Sequence, residues 1–396
     1  MQGGIIIVDL KQYLKQLETL VNIDSGSYNP YGLNKIADYF EHLYKELGWH
    51  VCRHDLGKET GNLLVITNRP AEYYDVMLIG HMDTVFPEGT VAQRPFSFDG
   101  TKAYGPGCSD LKGSCLAMYH VAKHLDPEIS EKLNICIIYN PDEEIGSRYS
   151  KNIVGEIGRR TGIVFVMEAI SLGGEHCFSR KGIVNYELEF HGIAAHAGFI
   201  FEKENASAIL ELGYYTVELM QLIDEEAGTS VNVGNVEGGF AANVVPPYAR
   251  MSVEMRFTKE SERERIENKM EEMLSKQFVK GVRVKVVNKR IVPPFLRTDA
   301  AEKYIARARQ VAKKIGMPFL DKDRGGISDA NHLSQHGCIC LDGMGVSGGS
   351  DHTEHEFTLI ESLEPCVKLL CALLEDLSIQ ESNYNFEVAR EKMLVV

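Results

Sequence analysis

No stretch of the 396 residues approaches the run of roughly 20 apolar residues that a membrane-spanning helix requires. The N-terminal apolar run Ile5–Val8 stops at Asp9, too short for the core of a secretory signal. Basic charge is scarce as well. With 42 Lys and Arg against 56 Asp and Glu the net charge is −14, which argues against a nucleic-acid surface or an anionic membrane as partner. There are no repeats and no low-complexity segments. The nine cysteines form no Cys-x-x-Cys pair, and Cys338 and Cys340, two apart in an apolar run, read as inert core thiols. Reduced thiols without a signal core point to a soluble, cytoplasmic protein. Gly105-Pro106-Gly107 lacks the GxGxxG and GxxxxGK spacings, which disfavours nucleotide binding.

What is present is an ordinary hydrophobic fraction, 44%, on a chain long enough for two domains or for one domain with a large insertion. Helical periodicity covers 9–22 and 33–47. Short apolar runs at 62–67, 76–80, 134–139, 162–167 and 338–342 read as buried strands, separated by helical stretches such as 113–125. This alternation predicts an α/β fold with a mostly parallel sheet covered on both faces. Polar residues follow the runs directly: His81 and Asp83, then Asp142 to Glu144, then Glu168. Ligands of open α/β sheets sit beyond the carboxyl ends of the strands, so these residues are expected to converge on one rim.

The middle of the chain has another pattern. Residues 183–191 alternate polar and apolar; a helix is expected at about 204–224, strands near 229–236 and 249–257, a charged helix at 259–277 and a strand at 282–291. The order β-α-β-β-α-β is that of a split, ferredoxin-like α+β unit. The expected domains are therefore 1–178, an insertion over 179–295, and a return to the first domain over 296–396. That return carries a helix at 299–315, the 338–342 strand and a helix near 359–377.

The chemistry-bearing residues are individually weak signals. In His81-Met82-Asp83, an aspartate two residues on can accept from the imidazole N–H and fix its tautomer. Asp110 follows a glycine-bent loop and opens a helix, where an Asp also suits an ordinary N-terminus; a carboxylate so fixed can bridge two cations. Asp142-Glu143-Glu144 follows a buried strand, where mutual repulsion is costly without a cation, although surface acid runs are common. One such carboxylate can coordinate metal while its neighbour takes a proton from water. Glu168 ends an apolar strand, and the segment 348–357 offers two histidines, His352 and His355. Mixed nitrogen and oxygen donors suit Zn²⁺, with Mn²⁺ or Co²⁺ as alternatives.

Taken in order, GHMDTVFP (80–87), GPGCSDLKG (105–113), PDEEIGS (141–147), MEA (167–169), AAHAG (194–198) and GGISDANHLSQHG (325–337) resemble the co-catalytic zinc exopeptidase and deacylase superfamily over nearly the whole chain. That group includes acetylornithine deacetylase, succinyl-diaminopimelate desuccinylase and peptidase T, and the nearest likeness is to glutamate carboxypeptidase. The resemblance implies a parallel-sheet catalytic domain whose ferredoxin-like insertion serves as lid and dimerisation domain. It implies two Zn²⁺ per subunit, one held by His81, Asp110 and Glu168, the other by Asp110, Glu144 and His352, with Asp110 bridging. HTEHEF (352–357) is similar to the family's His-Ser-x-x-Glu-Phe/Tyr, which prefers His352 over His355.

Glu143 is then the general base and Asp83 the support of His81. His196 stabilises the oxyanion, often in the partner's active site, and Asn243, Arg256 and Arg324 bind substrate. The Asp110-Leu111 peptide is expected to be cis. Leu111 and Ser114 depart from the residues usual at their positions. The implied activity is hydrolysis of an amide in a small peptide or N-acyl amino acid. N-acyl amino acid deacylase, aminotripeptidase and a catalytically dead metal-binding protein are the rival readings.

Overall fold

The computed structural model describes residues 7–379; Ile5 and Ile6 of the N-terminal apolar run lie outside them. The principal elements begin with α1 (Leu10–Val21), α2 (Pro30–Glu46), β1 (His50–His54), β2 (Leu63–Thr67), β3 (Tyr74–His81), α3 (Gly113–His124), β4 (Ile135–Asn140), α4 (Lys151–Gly158) and β5 (Thr161–Val166). Next come β6 (Gly182–His191), α5 (Ala208–Met220), β7 (Ser230–Gly238), β8 (Tyr248–Phe257), α6 (Glu260–Leu274) and β9 (Arg283–Val292). The described residues close with α7 (Asp299–Lys314), β10 (Ile339–Leu341) and α8 (Leu363–Ser378). Among the described residues no helix is long and apolar enough to cross a membrane.

The described chain divides into two compact units. One consists of Ser179–Leu296 and Arg324–Ile327, and the other of the remaining described residues. The short stretch Arg324–Ile327, expected in the second part of the catalytic domain, thus packs with the inserted residues.

The larger unit is built on a six-stranded sheet in the order β1-β2-β4-β3-β5-β10. Strands β4, β3, β5 and β10 run parallel to one another. Strand β2 pairs antiparallel with β4, and β1 antiparallel with β2. Every residue of β2, β4 and β5 is buried, as strands covered on both faces must be. Strand β1 was not evident in the sequence: His50-Val51-Cys52-Arg53-His54 is a half-exposed edge with neither an apolar run nor clean alternation.

Local chemistry sets the helix starts. The Asp9 carboxylate accepts from the backbone N–H of Lys11 and Gln12 at the start of α1, whose Tyr13, Leu17, Leu20 and Val21 face the core. Helix α2 begins three residues earlier than its periodicity suggests, because Asn29 caps Gly32 N–H and Pro30 occupies the first turn. Helix α3 is buried on all sides from Gly113 to Ala122.

The second unit is a four-stranded antiparallel sheet in the order β7-β8-β6-β9. Two helices cover one face, the ferredoxin-like arrangement. Val184, Leu188, Phe190, Met251, Val253 and Met255 form its core with Leu212, Tyr215, Ile266 and Met270 of the helices. Alternate residues of β8 face away from that core, Arg250, Ser252, Glu254 and Arg256 among them.

Candidate metal centre

In the larger unit, the parallel strands deliver the expected residues to their carboxyl ends. His81 is the last residue of β3; Asp142, Glu143 and Glu144 follow β4, and Glu168 follows β5 by two residues. Asp110 comes from the bend before α3, where the Asp110-Leu111 peptide is cis as the resemblance implies. A Cβ at Gly107 in that bend would meet Thr84 Cγ2 at 2.5 Å, and its φ is +74°, so only glycine fits. His352 is carried by an excursion between Gly348–Gly349 and Phe357–Leu359, which pair with one another. Its φ is +61°, a left-handed conformation a non-glycine residue holds only under constraint.

Asp110 is the centre of the cluster. Its Oδ1 lies 3.0 Å from His81 Nε2, and its Oδ2 lies 3.0 Å from His352 Nε2. His352 Nε2 is also 3.2 Å from Glu144 Oε2, and His81 Nε2 is 3.8 Å from Glu168 Oε1. One donor atom each from His81, Asp110 and Glu144 lie within 4.8 Å of one another, a spacing a single ion can span. His355 does not join the group; its Nε2 faces Glu354 at 3.6 Å.

Asp83 contacts the His81 imidazole with its backbone carbonyl as well as with its carboxylate. The nearest acceptor to His81 Nδ1 is the backbone carbonyl of Asp83, at 3.0 Å; its carboxylate Oδ1 is 3.3 Å away. Either contact leaves Nε2 free to face Asp110 and available to a cation. The fully buried Asp83 carboxylate accepts from Glu143 N–H at 3.1 Å, Glu144 N–H at 3.0 Å and Ser27 Oγ at 2.6 Å. It therefore ties the acidic loop after β4 to the end of β3.

Carboxylates outnumber imidazoles here, and the electrostatics show it. Burial pushes the His81 imidazole down, but hydrogen bonds to Asp110 and Asp83 outweigh it and hold His81 well above its usual range. Asp110 and then Glu144 push His352 up to about 11. Burial raises Glu143 well above the usual carboxylate range against the opposing charge of His81, and burial also raises Glu144 against its hydrogen bond to His352. A buried anionic cluster that draws protons onto its histidines is one that cations stabilise. Glu144 Oε1 is buried with no hydrogen-bond partner among the described residues. An orphaned buried oxygen on a carboxylate that already faces His352 fits a divalent cation.

Four sequence candidates lie in the second unit. His196 Nδ1 accepts from Gly198 N–H at 3.1 Å. Asn243 is its neighbour: its carbonyl accepts from Ala197 N–H at 2.8 Å. Arg256 pairs with Glu254 and donates to the Gly325 carbonyl, which brings it to the loop beginning at Arg324. Sequence reasoning missed Ser27, Lys112 and Glu356. Lys112 is 1% exposed and donates to the carbonyls of Ile23 at 2.9 Å and Pro106 at 3.1 Å. Glu356 was visible as the glutamate of HTEHEF but carried no role.

A mostly parallel sheet with this donor set at its carboxyl edge defines a metal-dependent hydrolase. The chain belongs to peptidase family M20/M25/M40, whose profile matches residues 77–376. It is similar to carboxypeptidase G2 of Pseudomonas sp. (strain RS-16), with 27% identity over 369 residues, 92% of this chain and 89% of the relative. It is also similar to succinyl-diaminopimelate desuccinylase of Xanthomonas campestris pv. campestris (strain 8004), with 24% identity over 323 residues, 77% of this chain and 84% of the relative. The crystal structure of aminopeptidase PepT from Bacillus cereus ATCC 10987 shares the fold, with a TM-score of 0.74 at 21% identity over 95% of this chain and 100% of that one.

Proposed function

We propose that this hydrolase cleaves an amide bond in a peptide or N-acyl amino acid, in the manner of a glutamate carboxypeptidase, with water as nucleophile and Glu143 as general base. The observation that carries the reading is the division of Asp110 between two histidines, Oδ1 to His81 and Oδ2 to His352. His81, Asp110 and Glu168 would hold one divalent cation, and Asp110, Glu144 and His352 a second. Zn²⁺ matches this donor set best, with Mn²⁺ or Co²⁺ as alternatives. Bound cations supply Lewis-acid polarisation of the scissile carbonyl and acidify water.

Glu143 removes the proton of the attacking water and returns it to the leaving nitrogen. Its position is fixed by its backbone N–H, which donates to Asp83, at the end of the strand beside the proposed ligand Glu144. Asp83 fixes the backbone on which Glu143 and Glu144 sit. His196 donates to the developing oxyanion, a contact typically worth ~3–4 kcal/mol in the transition state. Asn243 binds substrate oxygens, and Arg256 and Arg324 its carboxylate.

The second unit serves as lid and dimerisation domain. Support comes from α5, where Leu210, Tyr214 and Val217 form an exposed apolar stripe, and from β7, an edge strand of its sheet. All nine cysteines are free thiols, which supports a reducing, cytoplasmic setting.

The similarity to a desuccinylase favours a second reading, N-acyl amino acid deacylase. A panel of glutamyl peptides, N-acetylornithine, N-succinyl amino acids and tripeptides, assayed with Zn²⁺, Mn²⁺ and Co²⁺, separates the two. The carboxypeptidase reading requires the highest kcat/KM on substrates with a C-terminal glutamate, and it falls if acyl-ornithine or free-amine tripeptides are preferred.

A further inference from the structure

Glu356 is 1% exposed, and its carboxylate reaches from the loop that carries His352 to the bend that carries Asp110. Its Oε1 accepts from Ser109 N–H at 2.9 Å and Asp110 N–H at 3.0 Å, and its Oε2 accepts from Gly107 N–H at 2.9 Å. One carboxylate thus ties down three amides of the bend that presents Asp110. Glu356 itself closes the excursion bearing His352, immediately before the strand Phe357–Leu359 that pairs with Lys102–Tyr104. A Cβ at Gly348, on the other side of the excursion, would meet Ser109 Oγ at 2.3 Å, so the Gly348 backbone packs directly on the Ser109 side chain.

We propose that Glu356 is a positioning residue of the metal centre: its carboxylate sets the distance between Asp110 and His352, and so the affinity for the cation they share. The inference rests on the metal-centre reading above and names a residue outside the ligand set. A carboxylate is required because both of its oxygens accept. A carboxamide can satisfy Ser109 and Asp110 only by turning its NH₂ toward the Gly107 N–H, donor against donor. Groups that orient ligands in this way typically change metal affinity by roughly 10–100-fold when altered. The competing explanation is that Glu356 serves only to satisfy buried loop amides. Glu211 offers the comparison, since it is a buried carboxylate of the second unit that accepts from the N–H groups of Phe278 and Val279 and lies outside the ligand set.

The test is titration of metal-stripped, full-length protein with Co²⁺, followed by its visible absorption, and with Zn²⁺ against a chromophoric chelator, each beside a thermal melt of the stripped protein. Glu356→Gln is expected to weaken the looser of two metal equivalents at least tenfold and to change the Co²⁺ spectrum. Glu356→Asp, which keeps both acceptors, is expected to recover part of that loss and serves if the glutamine variant does not fold. Glu211→Gln is expected to lower the melting temperature with unchanged metal affinity. Wild-type affinity in folded Glu356→Gln, wild-type affinity in Glu356→Asp where the glutamine variant does not fold, or an equal affinity loss in Glu211→Gln overturns the positioning role alone. A wild-type protein that binds no Co²⁺ or Zn²⁺ overturns the metal-centre reading and this inference with it.

Discussion

Asp110 Oδ2 and His352 Nε2 lie 3.0 Å apart although 242 residues separate them in the chain. The loop of His352 adopts left-handed backbone at Ser350 and at His352 to make that approach. Strained conformations of this kind persist where the surroundings over-determine them, and they gather at functional sites. The matching contact from Asp110 Oδ1 to His81 completes a carboxylate facing one imidazole with each oxygen.

The choice of His352 over His355 follows from that geometry. His352→Ala is expected to lose about one equivalent of bound metal and most activity. His355→Ala, whose imidazole faces Glu354, is expected to keep both. Metal analysis of the two dialysed variants by plasma mass spectrometry decides it, and equal metal content in both contradicts the assignment.

Glu143→Ala removes the proton acceptor and leaves every proposed ligand in place. Metal content is expected to stay at the wild-type level while kcat falls about a hundredfold to ten-thousandfold. Glu143→Asp, with its carboxylate drawn back, is expected to fall between. Retained kcat in the alanine variant removes Glu143 from the mechanism.

Much of the centre was legible in the sequence because strand ends are. Apolar runs at 76–80, 134–139 and 162–167 marked β3, β4 and β5, and the polar residues just beyond them fall where a parallel sheet exposes its carboxyl edge. Periodicity could not reveal β1, a half-exposed edge strand, or the antiparallel setting of β2, which depends on pairing rather than on local pattern. Asp83 shows a different limit. The motif places a carboxylate on the imidazole, and Asp83 Oδ1 lies 3.3 Å from His81 Nδ1, but the motif could not show that the backbone carbonyl lies closer or that the carboxylate also binds amides 60 residues on. Glu356 was hidden because its partners are backbone N–H groups, which leave no residue-type signature.

The second unit is expected to hold two copies together. Along α5, Leu210, Tyr214 and Val217 recur at helical spacing on the side facing away from the unit's core, and Val217 is 61% exposed. Sedimentation is expected to show a dimer for the wild-type protein and a monomer for Val217→Arg. A wild-type monomer at micromolar concentration contradicts the dimerisation role.

His120 makes a pH prediction away from the metal centre. Burial, then the charges of His124 and Lys123, against that of Asp9, push its imidazole down to about 3, and its Nε2 lies 3.1 Å from Gln16 Oε1. The unfolded chain takes up this proton near pH 6.5, so the neutral form's contribution is fully present above that pH and is lost as pH falls toward 3. His120→Gln is expected to show a smaller drop in melting temperature between pH 7 and pH 5 than the wild type. An equal drop removes His120 as a cause of acid sensitivity.

The most direct test of the account is anomalous diffraction at the zinc edge from crystals of the full-length protein grown with Zn²⁺. Two peaks are expected, one at coordination distance from His81 Nε2 and Asp110 Oδ1, the other from His352 Nε2 and Asp110 Oδ2. Crystals with no peak at either histidine, or with zinc bound only elsewhere, contradict the two-metal centre and the hydrolytic mechanism built upon it.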